Sequence, residues 1–237
     1  MVVKRGSKVA EDIARDILGW ICEDGLKVGS RLPGEAQMLA KYGVGRGSLR
    51  EALRILEVHG VITIKAGPGG GPVVTGTTTR DFGRMATIFF QAGGMTFREL
   101  IDIRLVLEPM GARLAAERSD PELVRELMAT ETSTRNDVEY LRTSEAFHRQ
   151  VSRMSGNAIL NLISHAMEDI FHDRVAGMLF PPEDRGEVVK AHDEIAAAIA
   201  SGDGALSERL MREHMSQYVR YVRERYPALM DEVIVWR

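Results

Sequence analysis

Histidine and arginine carry the most distinctive chemistry available to this 237-residue chain. Five of its six histidines, His148, His165, His172, His192 and His214, fall beyond residue 140. A neutral imidazole ligates Zn²⁺ and similar divalent ions readily. No pair stands at the short spacing of a zinc finger or of a His-Glu-x-x-His enzyme. Three on separate helices could still converge, because facing helices build metal sites from inward-pointing side chains. The alternative for each is a satisfied core or surface histidine. Toward the other end, Arg46, Arg50 and Arg54 recur every four residues. On a helix that spacing makes one stripe. A guanidinium fork matches the O6 and N7 acceptors of guanine, so the stripe could read DNA. Its alternative is a solvated face with intrahelical pairs, Arg50 with Glu57 or Arg54 with Glu51.

The elements that would position the arginines are legible. Val9, Ile13, Ile17 and Ile21 recur at helical spacing. Gly25, Gly29 and Pro33 turn the chain, a short helix covers about 35–42, and Gly43 breaks it. A third helix over about 46–59 has Leu49, Ala52, Leu53 and Leu56 as its apolar face and the arginines on another. Gly47 and Ser48 are small enough to let its first turn enter the major groove, where free N–H groups can meet a phosphate. Residues 61–64 read as a strand and 72–75 as its return, joined by the Gly/Pro run 67–72. Helix, helix, tight turn, helix and β-hairpin make a winged helix-turn-helix over 1–76, with Lys65, Ala66 and Gly67 at the wing tip.

Residues 77–95 read as a linker that carries an apolar run, Met85 to Phe90. Beyond it the strand signals stop. Helical patterns cover about 96–117, 121–132, 138–155, 157–178, 182–201 and 204–226. Ser119-Asp120-Pro121 is a start signal with proline at the first helical position. Gly156, Pro181-Pro182 and Gly202 mark other breaks, and Pro109 predicts a kink or two abutting helices. The fold class is therefore mainly α: the winged helix-turn-helix, then an all-α antiparallel bundle of about six helices over 96–230.

Bulk properties agree. Hydrophobic residues make up 44% and charged residues 27%, enough apolar material for a packed core. One cysteine, Cys22, excludes an intrachain disulfide. No apolar run is long enough to span a bilayer and no signal-peptide pattern precedes the first helix, so the cytoplasm is the expectation. The net charge of −3 hides an asymmetry. Residues 1–75 hold 11 basic and 8 acidic side chains, against 20 and 26 in the rest. A basic module on an acidic body suits a polyanionic partner for the first part alone.

The segment Gly29-Ser30-Arg31-Leu32-Pro33-Gly34-Glu35, then Leu39-Ala40, Gly43-Val44, Arg46, Leu49-Arg50-Glu51-Ala52-Leu53, Leu56-Glu57 and Gly60-Val61-Ile62, resembles the GntR family of bacterial repressors and activators. The resemblance implies that Arg46, Ser48 and Arg50 are base and phosphate readers of a double-stranded operator, assisted by Gly67 of the wing. Three positions depart from the family pattern. Gly34 and Gly45 stand where serine is usual, and Ala36 replaces a common arginine, which removes one expected DNA contact.

The second part resembles the FadR-type subgroup with its helical FCD effector-binding domain. The carrying residues are Arg104-x-x-Leu107-Glu108, Leu114-Ala115-Ala116, Phe147-His148, Ser155-Gly156-Asn157, His192-x-x-Ile195, Ala198-Ile199, Gly202-Asp203 and Met211-x-x-His214. In metal-containing members an Asp four residues before the first His joins three histidines. His148, His192 and His214 match; Ser144 stands where the Asp is expected. Three neutral imidazoles can still hold Zn²⁺, Ni²⁺ or Mn²⁺, with water or an effector carboxylate completing the set. Glu145 is the nearest carboxylate on the same helix. The resemblance also implies a homodimer joined through the helical domains. It places Arg104 on the cavity wall, where its fork suits an organic-acid carboxylate; the competing role is a helix-surface ion pair with Glu108.

These readings give a non-enzymatic regulator whose operator affinity answers to a small organic acid, on a metal or not. A metal-free regulator responding to an acyl-coenzyme A is the nearest alternative. A three-His metalloenzyme is a third reading, but the sequence offers no general base at motif spacing and no nucleophile constellation. An architectural DNA binder without effector is a fourth.

Overall fold

A computed structural model describes residues 5–67, 69–175 and 180–236. The chain divides into two compact units, Met1–Asp81 and Phe82–Arg237. The first contains α1 (Arg5–Glu23), α2 (Glu35–Tyr42), α3 (Arg46–Val58), β1 (Ile62–Lys65) and β2 (Gly71–Val74). Ala10, Ile13, Ala14, Ile17 and Ile21 of α1 bury one face against Leu49, Ala52, Leu53 and Leu56 of α3. Val9 lies just off that stripe and is exposed. Burying a leucine or isoleucine contributes ~1.5–3 kcal/mol, so this seam dominates the small unit.

Helix α2 starts at Gly34, whose missing side chain cannot cap it. Gln37 supplies half of a capping box by accepting from the Gly34 N–H at 3.2 Å. Gly43 ends α2 in the left-handed region at φ 62°, donating to Leu39 O, which only glycine does without strain. The hairpin is antiparallel, pairing Ile62 with Val74 and Lys65 with Gly71. The segment before α2 adds to it: Leu32 N donates to Pro72 O and Val74 N to Ser30 O. Gly67 at the wing tip has φ 93°. Pro68, within the expected loop, lies outside the described residues.

The second unit is helical: α4 (Thr79–Gly93, its first turn in the N-terminal unit), α5 (Phe97–Arg118), α6 (Pro121–Met128), α7 (Asp137–Met154), α8 (Ala158–Val175), α9 (Arg185–Ala200), α10 (Gly204–Arg225) and a short α11 (Pro227–Met230). Helices α5 to α10 are the six read from the sequence. Three boundaries differ. The stretch expected as linker contains α4, which buries Gly83 and Thr87 and lays Ala86 and Phe90 on the core of the helical unit. Helix α6 stops at Met128 rather than near 132, because the chain turns there to carry Thr132 to the site below. The C-terminal segment beyond 230 is also built in: Phe97 N donates to Glu232 O and Ile234 N to Met95 O. The expected end of the fourth pattern near 178 falls outside the described residues.

Helix α5 is continuous through Pro109 instead of dividing. Proline cannot donate to the carbonyl four residues back, Leu105 O. Arg212 of α10 fills that vacancy, donating from Nη1 at 3.3 Å. Two apolar clusters hold the unit. One joins Phe97, Leu100 and Ile101 to α8 and α10; the other joins Ala112, Ala115 and Ala116 to Phe147, Ile195, Ile199 and Met211. Their boundary is where the polar site sits.

Candidate functional site

Helix α3 presents Arg46, Gly47, Arg50 and Arg54 to solvent and leaves Ser48 half-buried. Its N-cap, Gly45, is extended and contributes no side-chain hydrogen bond. The first-turn N–H groups therefore have no side-chain cap, and a helix N-terminus favours an anion. Neither intrahelical pair considered for the stripe forms the frame. Glu57 instead accepts from Ile64 N at 3.1 Å, fastening the wing to the end of α3. Arg50 Nε lies 3.4 Å from Glu35 Oε1 on α2, an exposed contact of small energetic worth. Arg31 Nη1 donates to Gly69 O at 2.8 Å and holds the wing loop.

In the helical unit His148 (α7), His192 (α9) and His214 (α10) converge. The Nε2 atoms of His192 and His214 are 3.3 Å apart, as are those of His214 and His148. One ligand atom from each of the three lies within 4.8 Å of the other two. Bonds of ~2.0–2.1 Å to one tetrahedral ion would set neighbouring nitrogens about 3.3–3.4 Å apart. The outer nitrogens are also engaged. His148 Nδ1 lies 2.6 Å from Glu108 Oε2, and His192 Nδ1 lies 2.8 Å from the Thr132 hydroxyl. Metal-binding histidines have such partners at the ring nitrogen that does not bind, which fixes ring orientation and tautomer. Phe147 stacks on His192 with ring centroids 4.0 Å apart. His165 does not join the trio; its Nε2 lies 3.4 Å from Arg149 O. The side chain of His172 lies outside the described residues.

Burial, reinforced by His148, pushes His214 down to about 3; burial with His148 and His214 pushes His192 well below the ordinary value. Both are neutral at pH 7, the state that ligates. Glu108 behaves oppositely. Burial disfavours its charge, but Arg104 and then His148 outweigh burial and hold it well below the usual carboxylate range. The donor set therefore fits a divalent cation: three nitrogens, two of them neutral by environment, with oriented rings and an anion behind one.

Beside the trio opens a cavity of about 90 Å³, partly open to solvent. Its lining includes Ser144, His148 and His214, Arg104 and Glu168, and the rings of Phe171 and Tyr218. Arg104 lines this cavity. It pairs with Glu108, Nε at 2.8 Å, yet the pair is buried in the cavity wall and not on the helix surface. Its guanidinium carbon lies 5.0 Å over the Phe171 ring. Ser144 lines the cavity as well. Sequence reasoning missed Thr132, Glu168 and the tyrosines. Burial pushes Glu168 up to about 7, although Arg104 and Arg149 oppose it, and Arg149 Nε donates to its Oε2 at 2.8 Å.

A helix-turn-helix with a wing, joined in sequence to a helical unit, is the arrangement of a class of DNA-binding regulators. Comparison with known families agrees with that class. Residues 9–71 match the bacterial regulatory proteins of the gntR family, and residues 99–217 match the FCD domain. The chain belongs to the gntR family and is one of its members with an FCD domain; it is a DNA-binding transcriptional regulator and not an enzyme. Among its relatives are the Glc operon transcriptional activator of Escherichia coli K12, 26% identical over 87% of this chain and 86% of that one. The putative regulator RmpR of Mycobacterium gastri is 26% identical over 92% and 80%. The putative L-lactate dehydrogenase operon regulatory protein of Escherichia coli K12 is 25% identical over 88% and 84%. A solved GntR structure from Streptococcus agalactiae shares the fold, with TM-score 0.64 at 23% identity over 89% of this chain and 99% of that one. Among the described residues no helix is long and apolar enough to cross a membrane.

Proposed function

We propose that this regulator binds its operator as a homodimer in the cytoplasm and that a small carboxylic acid in the FCD cavity sets its affinity for DNA. The observation that carries the effector site is the convergence of the His148, His192 and His214 nitrogens, with His148 and His214 on the wall of a cavity that also presents Arg104. His148, His192 and His214 would hold one divalent ion, Zn²⁺, Ni²⁺ or Mn²⁺. Such an ion would supply a Lewis-acid anchor for a carboxylate oxygen. Ser144 brings no charge to that wall, so the trio carries less negative charge than a set with an aspartate, which favours an anionic effector. Arg104 adds a cation to the same cavity, and the aromatic rings exclude water around a short apolar tail. A relative named for an L-lactate dehydrogenase operon supports a short hydroxy acid over a long acyl thioester.

On the DNA side, Arg46 and Arg50 read base edges, Ser48 and the first-turn N–H groups of α3 meet phosphate, Gly47 permits close approach, Arg54 extends the stripe, and Gly67 brings the wing backbone near the duplex. The effector shifts the balance between dimer arrangements by binding one of them better. Fluorescence anisotropy on a DNA fragment selected from a random pool tests the reading. The expected result is specific binding that changes at least severalfold with one short carboxylic acid, more strongly with zinc present. Binding indifferent to every acid in a broad panel, with and without metal, would overturn the effector reading.

A further inference from the structure

His148 and Glu168, which line the larger cavity, also line a second and smaller pocket between α5, α7, α8 and α10. Its volume is about 10 Å³, and Glu108, Ser152 and Ser164 add to its polar lining. Three helices each bring a pair of these residues at one-turn spacing, Glu108 with Gly111, His148 with Ser152, and Ser164 with Glu168, so each pair shares a face. Gly111 lets α5 and α7 approach closely here, since a Cβ on it would stand 3.9 Å from the Ser152 Cα.

The two serines are the unusual members. They are 7% and 9% exposed, and their hydroxyls have no hydrogen-bond partner among the described residues. A buried hydroxyl left unpaired is costly, so native structures supply a partner, from the protein or from ordered water. Other helical serines find one on their own helix. Ser207 donates to Asp203 O at 2.7 Å and Ser216 to Arg212 O at 2.6 Å. Ser152 and Ser164 do not, and both line the pocket.

The two carboxylates offer the complementary chemistry. An ionised carboxylate only accepts, at about four lone-pair positions. Arg104 Nε takes one on Glu108 at 2.8 Å, and Arg149 Nε takes one on Glu168 at 2.8 Å. Each keeps room for a further donor. Two hydroxyl donors and two acceptors around one small space therefore call for a partner that accepts twice and donates twice. Water does both, and one water needs ~10–15 Å³. A monovalent cation suits the site less well. Arg104 and Arg149 already supply the counter-charges, and a cation on the hydroxyl lone pairs would leave both hydroxyl protons unpaired.

We propose that this pocket is a binding site for one ordered water, which accepts from the Ser152 and Ser164 hydroxyls and donates to Glu108 and Glu168. The water ties the carboxylate behind His148 to a carboxylate on the wall of the larger cavity. Ser152 and Ser164 are then positioning residues: they hold the water, the water holds Glu108, and Glu108 orients the His148 ring. This last step rests on the metal reading above; the water site does not.

High-resolution crystallography of the metal-free full chain, with rubidium chloride soaked in, tests the site. The expected result is one peak at ~2.6–3.2 Å from both hydroxyls and from one oxygen of each carboxylate, without anomalous scattering. No peak, with both hydroxyls turned onto carbonyls of their own helices, would overturn the proposal. A rubidium peak would also overturn it and make the pocket a cation site. The positioning step is read by titrating Zn²⁺ into the double variant Ser152→Ala with Ser164→Ala. Alanine is the better helix former, so α7 and α8 persist. Zn²⁺ affinity should fall about three- to tenfold, less than for loss of a direct partner of the ring, and each single variant should fall less than the double. Unchanged affinity in the double variant would overturn the positioning role. A wild-type chain that takes up no Zn²⁺ would overturn the metal reading and the positioning step with it, while the crystal still decides the water site.

Discussion

Removing the carboxylate of Glu108 is the most informative single change in the helical unit. Glu108 sits between Arg104 and His148, with its side chain and that of Arg104 each only 10% exposed. Glu108→Ala leaves a guanidinium buried with its nearest counter-charge gone. Breaking one side of a buried ion pair costs ~3–5 kcal/mol. A domain of this size loses roughly 2–4 °C of Tm per kcal/mol, so the transition of the helical unit should fall by about 6–20 °C. Replacing both partners, Arg104→Met with Glu108→Leu, removes the charge and its counter-charge together. Desolvation then works for the variant, and stability should return to within ~1–2 kcal/mol of wild type. Calorimetry of the apo chain at pH 7 measures both. The single variant should also bind Zn²⁺ about 10–100-fold more weakly, since His148 loses the anion at its outer nitrogen. A single variant within ~1 kcal/mol of wild type, or a double variant no better than the single, would refute the buried-pair account.

Other outcomes follow from the same structure. Arg46→Ala and Arg50→Ala should each cost ~1–3 kcal/mol of specific DNA binding, measured by anisotropy, with an unchanged melting transition. Glu35→Gln releases Arg50 from its 3.4 Å contact and should leave the fold intact while altering operator affinity. His192 and His214 are held neutral by burial, so below ~6.5, where an unfolded histidine protonates, the unfolded state binds more protons, in the case of His214 down to about 3. Apo stability should therefore fall as pH drops below ~6.5, by up to ~1.4 kcal/mol per unit for each histidine, and be flat in this respect above it. Urea midpoints at pH 5 and 7 should show this slope, reduced in His214→Gln. Glu168 works the other way: raised to about 7, it destabilises progressively as pH rises from ~4.5 to 7, so Glu168→Gln should gain on wild type across that window. Asp120 accepts from Glu122 N and Leu123 N at the start of α6, so Asp120→Ala should lower stability by ~1 kcal/mol in urea.

The sequence was most informative where one physical signal dominated. Apolar spacing and glycine breaks mark α1 to α3, and alternation around a Gly/Pro loop marks the hairpin. Proline and glycine punctuation divides α5 to α10. Helix α4 was missed although Phe82, Met85, Ala86, Phe89 and Phe90 recur at helical spacing; the threonines and Gly76 before it, and Gly83 within it, read as connector. Pro109 misled for a different reason. The cost of its missing donor is offset by Arg212, more than a hundred residues on, which no local rule sees.

The site shows the same limit. His148, His192 and His214 were identifiable, through the family resemblance more than through spacing. That their Nε2 atoms would point inward depends on Glu108 and Thr132 holding the other nitrogens, and Thr132 reaches His192 only because α6 ends early. Arg104 and Glu108 lie four residues apart and pair visibly in the sequence. Whether that pair sits on a surface or in a wall is decided by α7, α8 and α10 packing over it. Glu168 gives no sequence signal; its raised protonation range comes from burial, with the nearby Glu108 charge adding to it.

Isothermal titration of metal-stripped chain with Zn²⁺ tests the central claim most directly, with the triple variant His148→Ala, His192→Ala, His214→Ala run alongside. One zinc per chain, lost in the triple variant while its helical content persists, is the predicted result. No zinc uptake by the wild type, or equal uptake by the triple variant, would contradict it.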